Sequence, residues 1–286
     1  MGNLTKSPVH VILAVLAAST ALFAQSGGSS ANKPGNDAGV LDARRIVELS
    51  VAATERSWHT RDQYAYMERE EDRRLDSSGM VKSDDARVIQ ITVVNGARFE
   101  QLMEHNGQPP SAEEEKVSAE DLDKLKHETA EERSVQADKE EENGAFLRDV
   151  LEGFDFQLIG EEMVEGRPAY VLQATPHPGY HAQGKYGKMF SKVAGRLWID
   201  KQDFGWVEVD GQVTQAFSMG LFVARVLQGS HVILEQTCVG DDIWVPKRIE
   251  VRASAKILFF KSLDIDRILT YSDYRLAANG PYSVSK

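Results

Sequence analysis

The segment 176–196 is the part of the chain whose side chains are best suited to recognising a charged surface. It combines lysines with apolar and aromatic side chains and contains no acidic residue, in a chain whose net charge is −11. Cations beside such side chains suit transient contact with lipid headgroups or with an acidic protein. We predict a docking loop for a membrane surface or a membrane-bound partner, formed by Lys185, Tyr186, Lys188, Met189, Phe190 and Lys192. The alternative is a solvated connecting loop in which Met189 and Phe190 pack into the rim of the fold.

Two histidines in the same segment raise the question of a metal site. His177 and His181 are four positions apart, a spacing that would place both on one face of a helix. Pro178 and Gly179 stand between them, so a helix is not expected here. Since no cysteine or nearby acid completes a ligand set, the sequence predicts no metal site and no cofactor.

A pair of acids near the C-terminus could do acid–base chemistry. Asp264 and Asp266 are two positions apart in a predicted strand, so both side chains point to the same side. The simpler interpretation is a polar edge or an ion pair with Lys261 or Arg267. The chain also lacks the motifs of serine hydrolases, P-loop proteins, dinucleotide-binding proteins and zinc peptidases. Although catalytic groups can converge from distant positions, we do not expect an enzyme.

The distribution of charge along the chain limits the kinds of molecule that it can bind. Residues 113–142 hold 13 acidic and five basic residues, so most of the negative charge lies in one segment. An acidic chain is repelled by phosphates, which argues against nucleic acid as a partner. The single cysteine, Cys238, is predicted to be a small buried hydrophobic residue without a disulfide.

Alternating apolar and polar residues predict a mainly β protein of the α+β class. Closely spaced hairpin turns favour a curled antiparallel meander of about eleven strands that forms an open half-barrel. The predicted strands are Asp62–Leu75, Val88–Val94, Ala97–Met103, Phe156–Met163, Ala169–Thr175, Ala194–Asp200, Gly205–Gln215, Met219–Gln228, His231–Val239, Ile243–Ala253 and Ile257–Leu276. Some of these strands are apolar on both faces, and a sheet of that kind must cover both faces or hold an apolar guest.

Helices are predicted at two places within a single domain, 40–286. Residues 40–61 form an N-terminal helix with one apolar side. Residues 108–153 form an acidic helical insertion between strands, and Ser118 and Asp121 there match a capping-box pattern.

The N-terminus has the pattern of a secretory signal peptide. A weakly positive start precedes an apolar stretch from Val9 to Phe23, which is short for a membrane span. We predict a signal peptide at 1–24, cleaved near Ala24, and a flexible linker at 25–39. An uncleaved membrane anchor is the alternative. No cysteine follows the apolar stretch, so the mature protein is not expected to be a lipoprotein itself.

Three short segments carry a family resemblance. They are Gly166-Arg167-Pro168-Ala169-Tyr170-Val171-Leu172, Gly195-Arg196-Leu197-Trp198-Ile199-Asp200 and Ile243-Trp244-Val245-Pro246-Lys247-Arg248. With the export signal, the N-terminal helix and the curled meander, they resemble the outer-membrane lipoprotein-sorting superfamily of Lol-type carriers. Proteins of that superfamily are incomplete β-barrels with a helical lid.

The resemblance implies a periplasmic protein that shields lipid or lipoprotein acyl chains in an apolar hollow. We expect a carrier or binder of apolar ligands, and the alternative is an envelope-stress sensing or protein-interaction module on the same scaffold. The alternative for the interior is a core filled by the protein's own side chains. The apolar faces nominate as cavity-lining residues Ile91, Val93, Val207, Val209, Leu221, Val223, Phe259 and Leu263.

The signal peptide is directly testable. Protein recovered from the periplasm should begin near Gln25 when its N-terminus is sequenced. A charge inside the apolar stretch, as in Leu16→Arg, should block export and leave the precursor in the cytoplasm. A full-length chain retained in the membrane fraction would favour the anchor instead.

Overall fold

The computed structural model describes residues 41–61, 63–76, 78–94, 97–127, 150–180, 187–219, 224–240, 242–257 and 261–277. The predicted signal peptide 1–24 and linker 25–39 lie outside these described residues. The pair Asn95-Gly96, whose sequence favours a tight hairpin turn, also lies outside them.

The described strands build one antiparallel sheet that curls without closing, as the half-barrel prediction required. The strands are β1 (Tyr64–Leu75), β2 (Val81–Val94), β3 (Ala97–His105), β4 (Phe154–Val164), β5 (Arg167–Pro176), β6 (Val193–Asp200), β7 (Trp206–Val213), β8 (Phe217–Met219), β9 (Ala224–Val226), β10 (His231–Val239), β11 (Ile243–Ile257) and β12 (Lys261–Leu276). The order across the sheet is β3-β2-β1-β12-β11-β10-β7-β6-β5-β4, so β3 and β4 form its two edges. Strands β1 and β12 pair in the interior of this order and join an N-terminal and a C-terminal meander.

The sheet has twelve described strands where the sequence predicts about eleven. The predicted single strand Met219–Gln228 is wrong, because β8 and β9 pair with each other as two short antiparallel strands. This pairing places Phe217 opposite Val226, and both side chains are buried in one cluster with Val213 and Ala255. A continuous strand would carry those two residues apart. Gly220 in the middle of the segment is the sequence signal for such a break.

Helix α1 (Ala43–Arg61) lies on the face around which the sheet curls, where it contacts β4, β6 and β11. Asp42 caps its N-terminus, since its Oδ1 accepts a hydrogen bond from the Arg45 backbone N–H at 2.7 Å. Ile46 and Val47 are fully buried against the strands. The predicted N-terminal helix is therefore confirmed, and it covers the concave face of the sheet.

Helix α2 (Ala112–His127) occupies the described part of the predicted insertion and packs beside edge strand β3. The capping box predicted at Ser118 is wrong, because Ser118 lies inside the helix. The helix is capped by Ser111, the residue directly before it. The Ser111 backbone N–H donates to the Glu114 carboxylate at 2.8 Å, and the Glu114 N–H donates to Ser111 Oγ at 3.4 Å. The helix buries none of its residues, so it covers a sheet edge rather than the concave face.

The three segments that carry the family resemblance meet at one corner on the outer face of the sheet. Asp200 is fully buried and accepts a hydrogen bond from Arg167 Nε at 2.7 Å. The same guanidinium donates through Nη2 to Asp203 at 2.6 Å and lies 5.3 Å from the centre of the Trp244 ring. Trp244 Nε1 in turn donates to Asp203 at 2.8 Å. These contacts fasten β5, the β6–β7 turn and β11 to one another.

The corner also explains why a glycine stands at the end of this turn. A side chain at Gly205 would place its Cβ within 1.9 Å of Trp244 Nε1. Because that atom belongs to a buried ring held by its own hydrogen bond, the position admits only glycine.

We expect Asp200→Asn to lower the free energy of unfolding by about 2–3 kcal/mol, because an amide N–H would then face the Arg167 guanidinium. Burial alone would raise the pKa of Asp200, but hydrogen bonds from Arg167 and from two backbone N–H groups outweigh burial and hold this pKa below its ordinary value. The stabilisation is therefore present above about pH 4 and lost as the pH falls through the lowered pKa.

Urea melts of both forms at pH 7 and pH 3 measure this difference. The exposed Asp155→Asn, which affects only a surface pair with His177, is the control and should change stability by less than about 0.5 kcal/mol. Equal stability of wild type and Asp200→Asn at pH 7 would contradict the expectation.

Candidate functional site

The concave face contains an apolar cavity of about 130 Å³ over the second half of the sheet, beside the cluster in which α1 is buried. Its walls come from β4 to β7 and from β10. Its apolar lining includes Phe154, Phe156, Ala174, Leu197, Trp206, Val209, Val232 and Leu234, and Arg196 and Asp210 also border it. A cavity with walls of this kind stays dry and offers dispersion contacts to an apolar group.

One end of the cavity is closed by a short helix, α3 (Gly187–Phe190), and by the residue Val150. The Phe190 ring packs against Phe154 with 5.5 Å between ring centres and meets the Tyr180 ring edge-on at 6.5 Å. Met189 lines the same cavity and is half-buried. These side chains separate the cavity from solvent at this end.

The size of the cavity limits what it holds. A cavity of about 150 Å³ accommodates benzene, so this one admits a few carbon atoms and not a whole acyl chain. Helix α1 fills the adjoining part of the concave face with Ile46, Val47 and Val51. The interior is therefore neither an open hollow nor a completely filled core.

Helix α1 is held over the cavity region by one buried polar contact. Trp206 Nε1 donates to Ser50 Oγ at 2.9 Å, and Ser50 is fully buried. Trp206 also lines the cavity, so the same side chain contacts the helix and borders the empty space.

Two of the nominated cavity residues lie on opposite faces of the sheet. Val209 lines the apolar cavity, whereas Val207 packs on the outer face with Trp198 and Trp244. A β-bulge separates them: Trp198 pairs with Glu208 while Ile199 pairs with Trp206, which leaves Val207 as an extra residue. The strict alternation assumed from the sequence fails here because a bulge reverses the facing of the strand.

The other nominated residues are distributed along the sheet. Ile91 is buried and borders a second cavity described below, and Val93 is half-buried two positions further along β2. Leu263 packs against the buried cluster of β10 to β12 on the concave face. Leu221, Val223 and Phe259 lie outside the described residues.

The predicted docking loop is only partly described. Lys185 and Tyr186 lie outside the described residues, and Lys188 belongs to α3, with its side chain outside the description. Lys192 Nζ donates to the side chain of Gln215 at 2.8 Å. Phe190 is only 1% exposed, so its assignment to a docking surface is wrong. The ring closes the apolar cavity instead, because burial there removes it from water.

A second cavity, of about 200 Å³, lies on the same concave face beside β1, β2 and β3. It is polar, unlike the first, and sequence reasoning missed it. Four of its residues are charged and three are tyrosines: Arg61, Glu68, Arg98, Glu100, Tyr66, Tyr271 and Tyr274. The available signal was the alternation of Tyr66, Glu68 and Glu70 along β1, which places polar residues on the covered face.

Glu68 is the most perturbed carboxyl group of this polar cavity. Partial burial, followed by the like charges of Glu70 and Glu100, raises its pKa to about 8, although Arg267 and Arg98 oppose the shift. The carboxyl makes no hydrogen bond or ion pair with any residue in the described part of the chain. Desolvation also raises the pKa of Tyr66 to about 12, so this phenol stays neutral.

The residues considered for metal or acid–base chemistry have ordinary structural partners. His177 Nδ1 lies 2.7 Å from an Asp155 carboxylate oxygen, and His181 is outside the described residues. No group of three or more potential metal-ligating side chains occurs within the described ranges.

The acid pair near the C-terminus also has structural partners. Asp264 accepts a hydrogen bond from Ser254 Oγ, and Asp266 lies 3.8 Å from Arg252 Nε. Of the alternatives expected for this pair, the ion pair with Arg267 does not form, because alternation along β12 points that side chain to the concave face, where it bonds to Glu70 at 2.7 Å.

Comparison with known proteins gives only distant likenesses. No family model and no curated protein matches the chain. Among solved structures, a DUF1329 family protein from Desulfovibrio piger is 13% identical with a TM-score of 0.31, covering 84% of this chain and 95% of its own.

Two further structures belong to the superfamily that the sequence resembles. A LolA superfamily protein from Nitrosomonas europaea is 12% identical with a TM-score of 0.31 and covers 84% of this chain and 96% of its own. An outer membrane lipoprotein-sorting protein domain from Vibrio parahaemolyticus is 10% identical with a TM-score of 0.29 and covers 82% and 95%. These names agree with the resemblance found in the sequence. Likeness at this level carries no argument about function, which rests on the geometry above. Within the described residues, no helix is long and apolar enough to cross a membrane.

Proposed function

We propose that this protein is a periplasmic binder or carrier of apolar ligands, with lipid or lipoprotein acyl chains as its cargo. The observation that carries the proposal is the apolar cavity on the concave face of the sheet, beside the cluster in which α1 is buried. The predicted signal peptide supports export to the periplasm, and the resemblance to Lol-type carriers supports acylated cargo.

The cavity can hold only part of an acyl chain, because it is too small for a complete one. Helix α1 is the element whose displacement would lengthen it, since Ile46, Val47 and Val51 occupy the adjoining apolar surface. Helix α2 is unsuited to the role of lid because it buries no side chain and lies at the β3 edge. The mobile helical cover of this proposal is therefore α1.

The free energy needed to displace α1 can be compared with the free energy gained by burying an acyl chain in its place. Exposing three buried aliphatic side chains costs about 5–9 kcal/mol, at roughly 1.5–3 kcal/mol each. Breaking the Trp206–Ser50 hydrogen bond adds about 1 kcal/mol. Burying an acyl chain gains about 0.8 kcal/mol for each CH₂, or on the order of 10 kcal/mol for a chain of ordinary length. The gain and the cost of replacing the helix by an acyl chain are thus of the same order before the entropic cost of association is counted.

We expect protein purified from the periplasm to release fatty-acylated material on organic extraction, detectable by mass spectrometry at close to one ligand per protein. Val209→Phe should fill the cavity and weaken binding of a fluorescent C12 fatty acid by about tenfold or more, because the added ring occupies the site. The matched control is Val164→Phe, the same change on edge strand β4 against the outer-face cluster.

Both variants must keep the wild-type circular dichroism spectrum for the comparison to count. A protein that carries no lipid and does not bind the fatty acid would refute the carrier. Such a protein, if it captured a defined envelope partner, would fit the interaction-module alternative.

Loosening the contact that holds α1 should speed loading. Ser50→Ala removes the acceptor of the Trp206 N–H, which should lower stability by about 1–2 kcal/mol and increase the association rate of the fluorescent fatty acid severalfold in stopped-flow measurements. Arg45→Ala is the control, since the exposed Arg45 side chain pairs with Glu48 on the helix itself. An association rate unchanged by Ser50→Ala would show that α1 is not the cover.

A further inference from the structure

The polar cavity beside β1, β2 and β3 is a separate site that brings together groups of both charges. Arg61 and Arg98 contribute two positive charges, and Glu68 and Glu100 contribute two negative ones when both carboxyls are ionised. A ligand of a single charge would meet one pair of like charges in this space. A ligand with both charges is complementary to both pairs.

The tyrosine rings add a surface suited to a cation. Tyr66 lies 5.1 Å from Tyr274 and 5.9 Å from Tyr271 between ring centres, with interplanar angles of 35° and 61°. Aromatic faces attract ammonium groups, and the attraction is larger where water is excluded. The Tyr274 hydroxyl is fixed by a hydrogen bond to the Pro246 carbonyl at 2.7 Å, so its ring has a defined orientation.

Glu68 lies on the same strand as Tyr66 and faces the cavity with a carboxyl group that has no hydrogen-bond partner among the described side chains. A half-buried carboxyl next to Glu70 and Glu100 is costly for the fold. Sites that break a stabilising rule in this way are often functional. An ammonium group would supply the hydrogen-bond donors and the positive charge that Glu68 lacks.

The size of the cavity sets the size of the ligand. A cavity of about 150 Å³ takes the six heavy atoms of benzene, so the 200 Å³ of this one corresponds to about eight. Phosphoethanolamine has that number of heavy atoms, with a primary ammonium at one end and a phosphate at the other.

We propose that this cavity binds a phosphoethanolamine-type zwitterion, with its ammonium at Glu68 and the tyrosine rings and its phosphate towards Arg61 and Arg98. The group could reach the site as a free solute or as the headgroup of a phospholipid. This proposal does not depend on a ligand in the apolar cavity, so either proposal can be refuted without the other.

Isothermal titration calorimetry with phosphoethanolamine tests the site. Saturable binding should weaken at least tenfold in Glu68→Gln and stay unchanged in Glu71→Gln, an equivalent change on the outer face of β1 where Glu71 bonds to Arg69. Ethanolamine alone and inorganic phosphate alone should each bind more weakly than the zwitterion. Val209→Phe, which blocks the apolar cavity, should leave phosphoethanolamine binding intact.

The pH dependence has a definite sign. Only the ionised carboxylate binds an ammonium, and the pKa of Glu68 is raised to about 8 by burial and by Glu70 and Glu100. The groups facing it from other elements are Arg61 of α1, Arg98 and Glu100 of β3, and Arg267 and Tyr271 of β12. Affinity should therefore rise about 25-fold between pH 6.5 and 8.5, as the ionised fraction of Glu68 grows, with release of a proton on binding.

A stability measurement separates a functional carboxyl from a structural one. Because ionisation of Glu68 is unfavourable in the folded state, Glu68→Gln should raise the melting temperature at pH 8 and leave it nearly unchanged at pH 4. Loss of binding together with a gain of stability supports a binding group.

Vesicles distinguish the two sources of the ligand. Cosedimentation with phosphatidylethanolamine vesicles and not with phosphatidylglycerol vesicles, dependent on Glu68, identifies a lipid headgroup; binding of the free compound without vesicle binding identifies a solute. Either outcome supports the site. Absence of saturable binding to both, or equal binding by wild type and Glu68→Gln, would overturn it.

Discussion

The structure depends on one constraint: a curled sheet that does not close leaves an apolar concave face that must be kept from water. Helix α1 meets this constraint by burying Ile46 and Val47 in a cluster with side chains of β4 to β7, and the helix also contacts β11 in another part of the order. One buried hydrogen bond, from Trp206 to Ser50, fixes the helix in place. Helix α1 is not hydrogen-bonded into the sheet as a further strand would be. Its contact with the sheet is therefore the part of the core that another apolar surface could replace.

The concave face is divided into two environments by the strands that form it. The second half of the sheet contributes aliphatic and aromatic side chains and encloses a dry cavity. The β1–β3 end contributes tyrosines, arginines and glutamates and encloses a polar one. Between them lies the buried cluster of β10 to β12, whose member Leu234 also lines the apolar cavity. An amphiphilic molecule is likewise divided into an apolar part and a polar part. We nevertheless propose a separate ligand for each cavity.

The segments that identify a resemblance contribute their buried polar corner to the outer face of the sheet, although Leu197 from one segment and Val245 from another line the cavities on the concave face. Arg167, Asp200 and Trp244 form a hydrogen-bonded corner on the outer face, where a charge without its partner would be expensive. Such residues are easily seen in a sequence because their types and spacings are unusual. The residues of the apolar cavity are mostly ordinary aliphatic and aromatic side chains, distinguished only by where they meet. This explains why the motifs specify architecture better than activity.

The sequence by itself determined the α+β class, the N-terminal helix, most strand positions and the open antiparallel sheet, because alternation and turn residues are local signals. It did not determine which strands pair across the chain, such as β1 with β12, since that pairing depends on contacts between residues about 200 positions apart. Only the tertiary structure decided that Val207 and Val209 face opposite ways, because a bulge is set by the neighbouring strand. It also decided that Phe190 closes a cavity and that Glu68 lies beside the tyrosines, because burial is a property of the assembled sheet and helix.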